Sequence, residues 1–233
     1  MVSIRGIVRR TRKLWEPAPM RDFSDYDDYW HQRGEIRIVF GRWRLTADAL
    51  PDSGTLIDVG CGTGEFLTYL RDHRHSGLTM KGVDGSAESV RMTQQRGFDA
   101  TVVNLLSGAL PEKAEYLTCF EVLEHIPDAE VALRAMRDAC QKRIFISVPN
   151  IGYIGCRVRL ALFGRFPLTT CVMHIKEHVR FWTVRDFRQW AESNGLRLVR
   201  ARGTRGLGPL YRLSASLFSA TVLYELEPMP QSA

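Results

Sequence analysis

The chain has 233 residues, 45% of them hydrophobic and 25% charged, with a formal net charge of +6. These proportions fit one globular domain with residues to spare for an added lid. They exclude a membrane-spanning helix, since no apolar run approaches the roughly 18–20 residues it needs, and they give no strongly basic nucleic-acid surface.

Much of the positive charge lies at the start, where Arg5, Arg9, Arg10, Arg12 and Lys13 precede the first acid, Glu16. No apolar h-region follows Arg9-Arg10, which argues against export. Residues 1–34 are therefore set apart as a basic segment. It is read as a solvated tail or, alternatively, as a peripheral contact with anionic membrane. Residues 35–233 form the expected folded domain. Cys61, Cys119, Cys140, Cys156 and Cys171 are scattered, with no C-x-x-C pair. Free thiols in a reducing, cytoplasmic setting are expected.

From Glu35 to Leu50 the apolar positions fit a helical face only approximately, and Pro51-Asp52-Ser53-Gly54 breaks the chain. Thr55–Val59 reads as a buried strand ending in Gly60-Cys61-Gly62-Thr63-Gly64, and a helix follows through Phe66, Leu67 and Leu70. Leu78–Val83 is a second strand. Ser86 caps a helix to Arg96, and Phe98–Val103 is a third strand. Tyr116–Phe120 is a fourth, followed by a helix from an Asp128 cap to about Cys140. Arg143–Val148 is a fifth, stopped by Pro149-Asn150. Thr183-Val-Arg-Asp186 has the form of a capping box and opens a helix that ends at Gly195. Leu196–Arg200 and Thr221–Glu225 complete seven strands, with a helix-like stretch around Leu210–Phe218 between them.

Such alternation predicts an α/β fold: a doubly wound, mostly parallel seven-stranded sheet with helices on both faces and a ligand at the carboxyl ends of the strands. The connection from 151 to 180 is too long for a simple loop. Its Leu160, Leu162, Phe163 and Phe166, mixed with Arg157, Arg159 and Arg165, suit an amphipathic lid on the substrate side.

Glycines after the first strand let the backbone approach a ligand closely. Asp84 ends the second strand about 20 residues further on, where a carboxylate can accept from both ribose hydroxyls. Together they indicate an adenosine-bearing cofactor. A pyrophosphate would need a helix N-terminus without nearby anions. Here Asp58 and Glu65 flank the loop, and the spacing is Gly-x-Gly-x-Gly. Acids suit a cation, so S-adenosylmethionine (SAM) is favoured over a dinucleotide.

Leu56-Ile-Asp-Val-Gly-Cys-Gly-Thr-Gly64 resembles the first motif of class I SAM-dependent methyltransferases. Val83-Asp84-Gly85-Ser86 resembles the second, and Cys119–His125 the segment after the fourth strand. The likeness covers roughly Leu56 to Arg200. It implies a Rossmann-like methyltransferase fold, with Asp58 and the Gly60 backbone facing the methionine moiety, Cys61, Gly62 and Gly64 also binding the cofactor, and Asp84 facing the ribose. It also implies Asn104 near the adenine amino group and Phe120 or Glu121 beside the transferred methyl.

Glu121, Glu124 and His125 cluster past the fourth strand. They admit three readings: capping of a turn, His125 as general base for an oxygen nucleophile, or a divalent metal site. The metal reading rests on a resemblance of Glu-x-x-Glu-His with a later His178 to small-RNA 3′-end methyltransferases and ubiquinone O-methyltransferases. Ser147–Asn150, Gly164–Pro167 and Phe181–Phe187 also resemble the methionine-biosynthesis W protein group. Tyr26, Tyr29, Trp30 and Arg33 either close over the cofactor carboxylate or simply pack and remain solvated.

The expected activity is methylation of a small or glycan-like acceptor, at oxygen, with His125 and His178 as the catalytic candidates. Alternatives are a non-catalytic partner of a biosynthetic enzyme and an RNA methyltransferase. No separate RNA-binding module is visible, and no DNA partner is expected.

Overall fold

The computed structural model describes residues 40–73, 77–167 and 178–230. The basic segment 1–34, with Tyr26, Tyr29, Trp30 and Arg33, lies outside the described residues, as do positions 168–177 of the expected lid. Among the described residues, no helix is long and apolar enough to cross a membrane.

Helix α1 (Gly41–Ala47) leads into strand β1 (Ser53–Val59) and α2 (Glu65–His73). Then come β2 (Gly77–Asp84), α3 (Ala87–Gln95), β3 (Asp99–Val102), β4 (Ala114–Phe120), α4 (Ala129–Ala139) and β5 (Cys140–Pro149). The chain continues through α5 (Ile154–Phe163), α6 (Val184–Ser193), β6 (Leu196–Gly206), a 3-10 turn (Gly208–Arg212), α7 (Ala215–Phe218) and β7 (Ser219–Pro228). The seven strands lie in the order β3-β2-β1-β4-β5-β7-β6. The first five pair in parallel, and β7 runs antiparallel between β5 and β6. The mostly parallel seven-stranded sheet expected from the alternation is therefore present.

Local chemistry accounts for the boundaries. The Ser86 hydroxyl accepts from Ser89 N–H at 3.1 Å and opens α3. Thr183 and Asp186 exchange the reciprocal bonds of a capping box, and Gly195 after α6 turns the chain at φ +81°. Asp128 departs from expectation. It occupies the position before α4 with φ −100° and ψ 56°, and its side chain makes no capping bond.

The edge strand β6 runs to Gly206, well past Arg200. Its Arg197, Arg200, Arg202 and Arg205 break an apolar strand pattern, but an edge strand tolerates charges that a central one would not. The helix-like stretch Leu210–Phe218 is divided into the 3-10 turn and α7, with Ser214 capping the latter.

One core packs α4 and α6 against one face of the sheet, where Leu133, Met136 and Phe187 join Tyr224 of β7. A second packs α1 and α2 against the other, through Trp43, Phe66 and Leu70. Both faces are covered, as buried parallel strands require.

Asn150 pins the root of the expected lid. It is fully buried, and its Nδ2 donates to the Ala215, Ser216 and Ser219 carbonyls at 3.2, 2.9 and 2.8 Å. Its Oδ1 accepts from Gly152 N–H at 2.9 Å. The start of α5 is thereby tied to the β6–β7 connection. Asn150→Ala removes the side-chain donor that these carbonyls share and is expected to cost about 2–4 kcal/mol, read from urea unfolding midpoints. Asn150→Asp, which turns the donors into acceptors, is expected to cost at least as much.

Candidate active site

β2 and β3 lie to one side of β1 and β4 to the other, so the winding reverses between β1 and β4. In open α/β sheets this switch point is where a ligand crevice forms. The loop after β1 and the loop after β4 meet there. Gly60 has φ +72°, and a Cβ on it would come 2.3 Å from Val122 Cγ2. Only glycine permits both that backbone and that contact.

The glycine loop is held from below and from the side. Gly60 and Cys61 N–H donate to Val83 O at 2.7 and 3.1 Å, and Thr93 hydroxyl donates to Gly62 O at 3.0 Å. Asp84 at the end of β2 accepts from Gly62 N–H on Oδ2 and from Ser86 N–H on Oδ1, each at 2.9 Å. Cys61 contributes its backbone to this turn. Its thiol is buried near Thr93 Oγ1, and burial raises its pKa, so it packs as an apolar group. Asn104 follows β3, exposed, and caps a short turn by accepting from Leu106 N–H at 3.0 Å.

Asp58 is buried at the end of β1 and accepts from Thr118 Oγ1 at 2.6 Å. Burial, reinforced by Asp84 and Glu65, pushes its pKa up to about 7, against the lowering effects of Thr118 and Arg42. The crevice therefore gathers carboxylates that repel one another and would favour a cation.

Glu121 begins the β4 loop at φ +57°, which among the described residues no other non-glycine shares. This conformation costs of order 1 kcal/mol and persists only when its surroundings hold it. Here Glu121 N–H donates to Ser147 O, and its Oε1 accepts from Ser147 Oγ, both at 2.9 Å. The strained turn sends the chain into Leu123–His125.

Glu124, His125 and His178 come together, with one ligand atom of each within 4.8 Å of the others. His178 Nε2 lies 3.8 Å from Glu124 Oε1, and the His125 and His178 rings meet edge-on at 4.7 Å. Burial, then the neighbouring His125, lowers the His178 pKa to about 3, so this imidazole is neutral at physiological pH. Glu121 does not join the group, because its carboxylate faces Ser147.

The far histidine is brought in by contacts that sequence spacing does not reveal. Val179 and Arg180 N–H donate to Glu124 O at 2.9 and 3.2 Å. The Arg180 guanidinium grips Glu130 through both Nη atoms and bonds to Pro127 O, while Trp190 Nε1 donates to Glu130 Oε1 at 2.8 Å. The sequence pattern marks no role for Thr118, Glu130 or Arg180, and names Ser147 only within a family-like segment. Only the position of Arg180, two residues after His178, hinted at its part.

Residues 29–201 match the family described as a methyltransferase domain. The chain belongs to that family. It is a SAM-dependent methyltransferase of the class I fold, with SAM as cofactor.

In sequence this methyltransferase is similar to the ubiquinone biosynthesis O-methyltransferase of Albidiferax ferrireducens, with 28% identity over 135 residues. That match covers 52% of this chain and 52% of the relative, so the chain spans about half the relative's length. In fold the methyltransferase is similar to a TehB-like SAM-dependent methyltransferase from Corynebacterium glutamicum (TM-score 0.58, 18% identity, 87% of this chain and 96% of that one). It is also similar to the magnesium protoporphyrin IX methyltransferase of Synechocystis with bound S-adenosylhomocysteine (SAH) (TM-score 0.57, 18% identity, 94% and 93%).

Proposed function

We propose that this methyltransferase moves the methyl of SAM to an oxygen of a small or glycan-like acceptor, with His125 as the base, in a cytoplasmic setting. The observation that carries the reading is the position of His125 and neutral His178 beside the carboxyl end of β4, next to the acid-lined crevice. An oxygen nucleophile must lose a proton as it attacks, and an imidazole can take it near neutral pH. The larger part of the acceleration would come from holding oxygen, methyl carbon and sulfur in line.

In this reading Asp84 holds the ribose hydroxyls, Asn104 lies by the adenine, and Asp58 with the Gly60–Gly64 backbone meets the methionine end. Glu121, set by its strained backbone, faces the sulfonium side. His178 stays neutral and orients His125. Helix α5, within the proposed 151–180 lid, covers the acceptor side.

The test is transfer of tritiated methyl from SAM into fractionated extract, sorted as lipid, glycan, RNA or small metabolite. Label on oxygen of a small metabolite or glycan supports the reading, and label in RNA overturns it. No label anywhere, with a stoichiometric biosynthetic enzyme recovered on the protein, would favour the non-catalytic partner instead.

The grouping of Glu124, His125 and His178 supports a second reading, in which they hold a divalent cation. One carboxylate and two imidazoles form a donor set suited to a divalent cation, and the neutral state of His178 is the one that binds metal. Such an ion would polarise the acceptor hydroxyl when bound. Bound metal measured on the purified protein, lost in His178→Ala, distinguishes this reading from the base.

The shifted Asp58 has its own consequence. Its native pKa of about 7 lies above the ordinary 3.8, so the proton is held more tightly in the fold. Its stability contribution is full below about pH 4 and is lost as pH rises through about 7. A cationic ligand would lower that pKa and release protons. SAM titrations near pH 6.5, in buffers of different ionisation enthalpy, are expected to report proton release that Asp58→Asn abolishes.

A further inference from the structure

The parallel strands β1–β5 end on one side of the sheet, and the antiparallel β7 brings the β6–β7 connection to that side too. This end carries nearly all the exposed apolar bulk. Leu160, Leu162, Phe163 and Phe166 belong to α5 and its exit, and Leu210 and Leu213 to the β6–β7 connection. Leu162 is 73% exposed and Leu213 79%. Among the described residues, Val199 within β6 is the one exposed large hydrophobic away from this end.

The two connections themselves carry charge of one sign, beside the acid-lined crevice. Residues 150–167 and 196–219 contain no aspartate or glutamate. Arg157, Arg165, Arg205 and Arg212 are exposed, and none is ion-paired with a described residue. The apolar rim also runs into the site: Phe166 meets Phe181 at 5.1 Å, Phe181 lies 6.4 Å from His178, and His178 touches His125.

We propose that this rim docks on an anionic lipid bilayer, with the mouth of the active site facing the membrane. Aliphatic side chains at such exposure gain by entering the interfacial region, and arginines beside them are drawn to anionic headgroups. A second copy in a two-fold contact would set these arginines against their own kind. The most exposed positions of the rim, Leu162 and Leu213, are aliphatic and give single-stranded nucleic acid no stacking face, whereas they suit a bilayer interface. The residues of this surface are distinct in sequence from the N-terminal basic segment, and the proposal does not depend on which acceptor is methylated.

The full chain is co-sedimented with vesicles of phosphatidylcholine alone and of phosphatidylcholine mixed with phosphatidylglycerol, and its SAM affinity is measured in parallel. Binding is expected to the mixed vesicles and to weaken as salt rises. Leu162→Asp/Leu213→Asp is expected to reduce partitioning about tenfold or more. Arg165→Glu/Arg212→Glu is expected to reduce the preference for phosphatidylglycerol about fivefold per residue. Both variants should keep wild-type SAM affinity, which separates lost docking from lost folding and from a failure of the cofactor reading. The proposal is overturned by absence of vesicle binding, by equal binding to both vesicle types, or by variants that bind as wild type does. It is equally overturned if Leu162→Asp/Leu213→Asp instead dissolves an oligomer or abolishes RNA binding.

Discussion

Asp84→Asn is expected to weaken SAM and SAH binding at least about 100-fold by isothermal titration. Two effects act together. The carboxylate accepts Gly62 and Ser86 N–H, one on each oxygen, and a carboxylate oxygen has two lone pairs, so each has the capacity to accept a ribose hydroxyl as well. Hydrogen bonds to an ionised group contribute about 1.5–3 kcal/mol apiece, so losing two accounts for the fold-change. An asparagine would also turn an amide NH₂ toward one of the two backbone N–H donors, pushing the glycine loop away from the sheet. For that reason Asn should be nearly as harmful as Ala. Wild-type affinity in Asp84→Asn would remove Asp84 from the cofactor site.

His125→Ala should reduce turnover on the identified acceptor by about 10²–10⁴-fold, while the SAM dissociation constant moves by less than about threefold. The split follows from position. His125 lies past β4 against His178, whereas the cofactor grip is assigned to the loops after β1 and β2. A base and a metal ligand would both lower turnover, so metal content is measured on the same variant. Loss of an ion together with activity selects the second reading, and unchanged metal content selects the first. An equal fall in turnover and cofactor affinity would mean that His125 only supports the fold.

The features legible in the sequence were those that act over a few residues. Gly60, Gly62 and Gly64 announce a turn that side chains would obstruct, and Ser86 and Thr183–Asp186 cap their helices as their spacing implies. Asp128 shows the limit of such reasoning, because a suitable residue in the right place still needs a backbone that aims it. Edge-strand β6 extends past its apolar pattern for the opposite reason: its arginines are tolerated by its place in the sheet, which no local pattern encodes.

By itself, the sequence determined the order of strands and helices, the glycine loop and the acids around it, since periodicity, backbone freedom and charge reside in neighbouring residues. Tertiary structure alone decided that Glu121 would turn to Ser147, that Arg180 would carry His178 to Glu124, and that leucines from two separate connections would share one end of the molecule. Those outcomes depend on contacts between residues far apart in the chain, whose energies exist only once the sheet has brought its strand ends together.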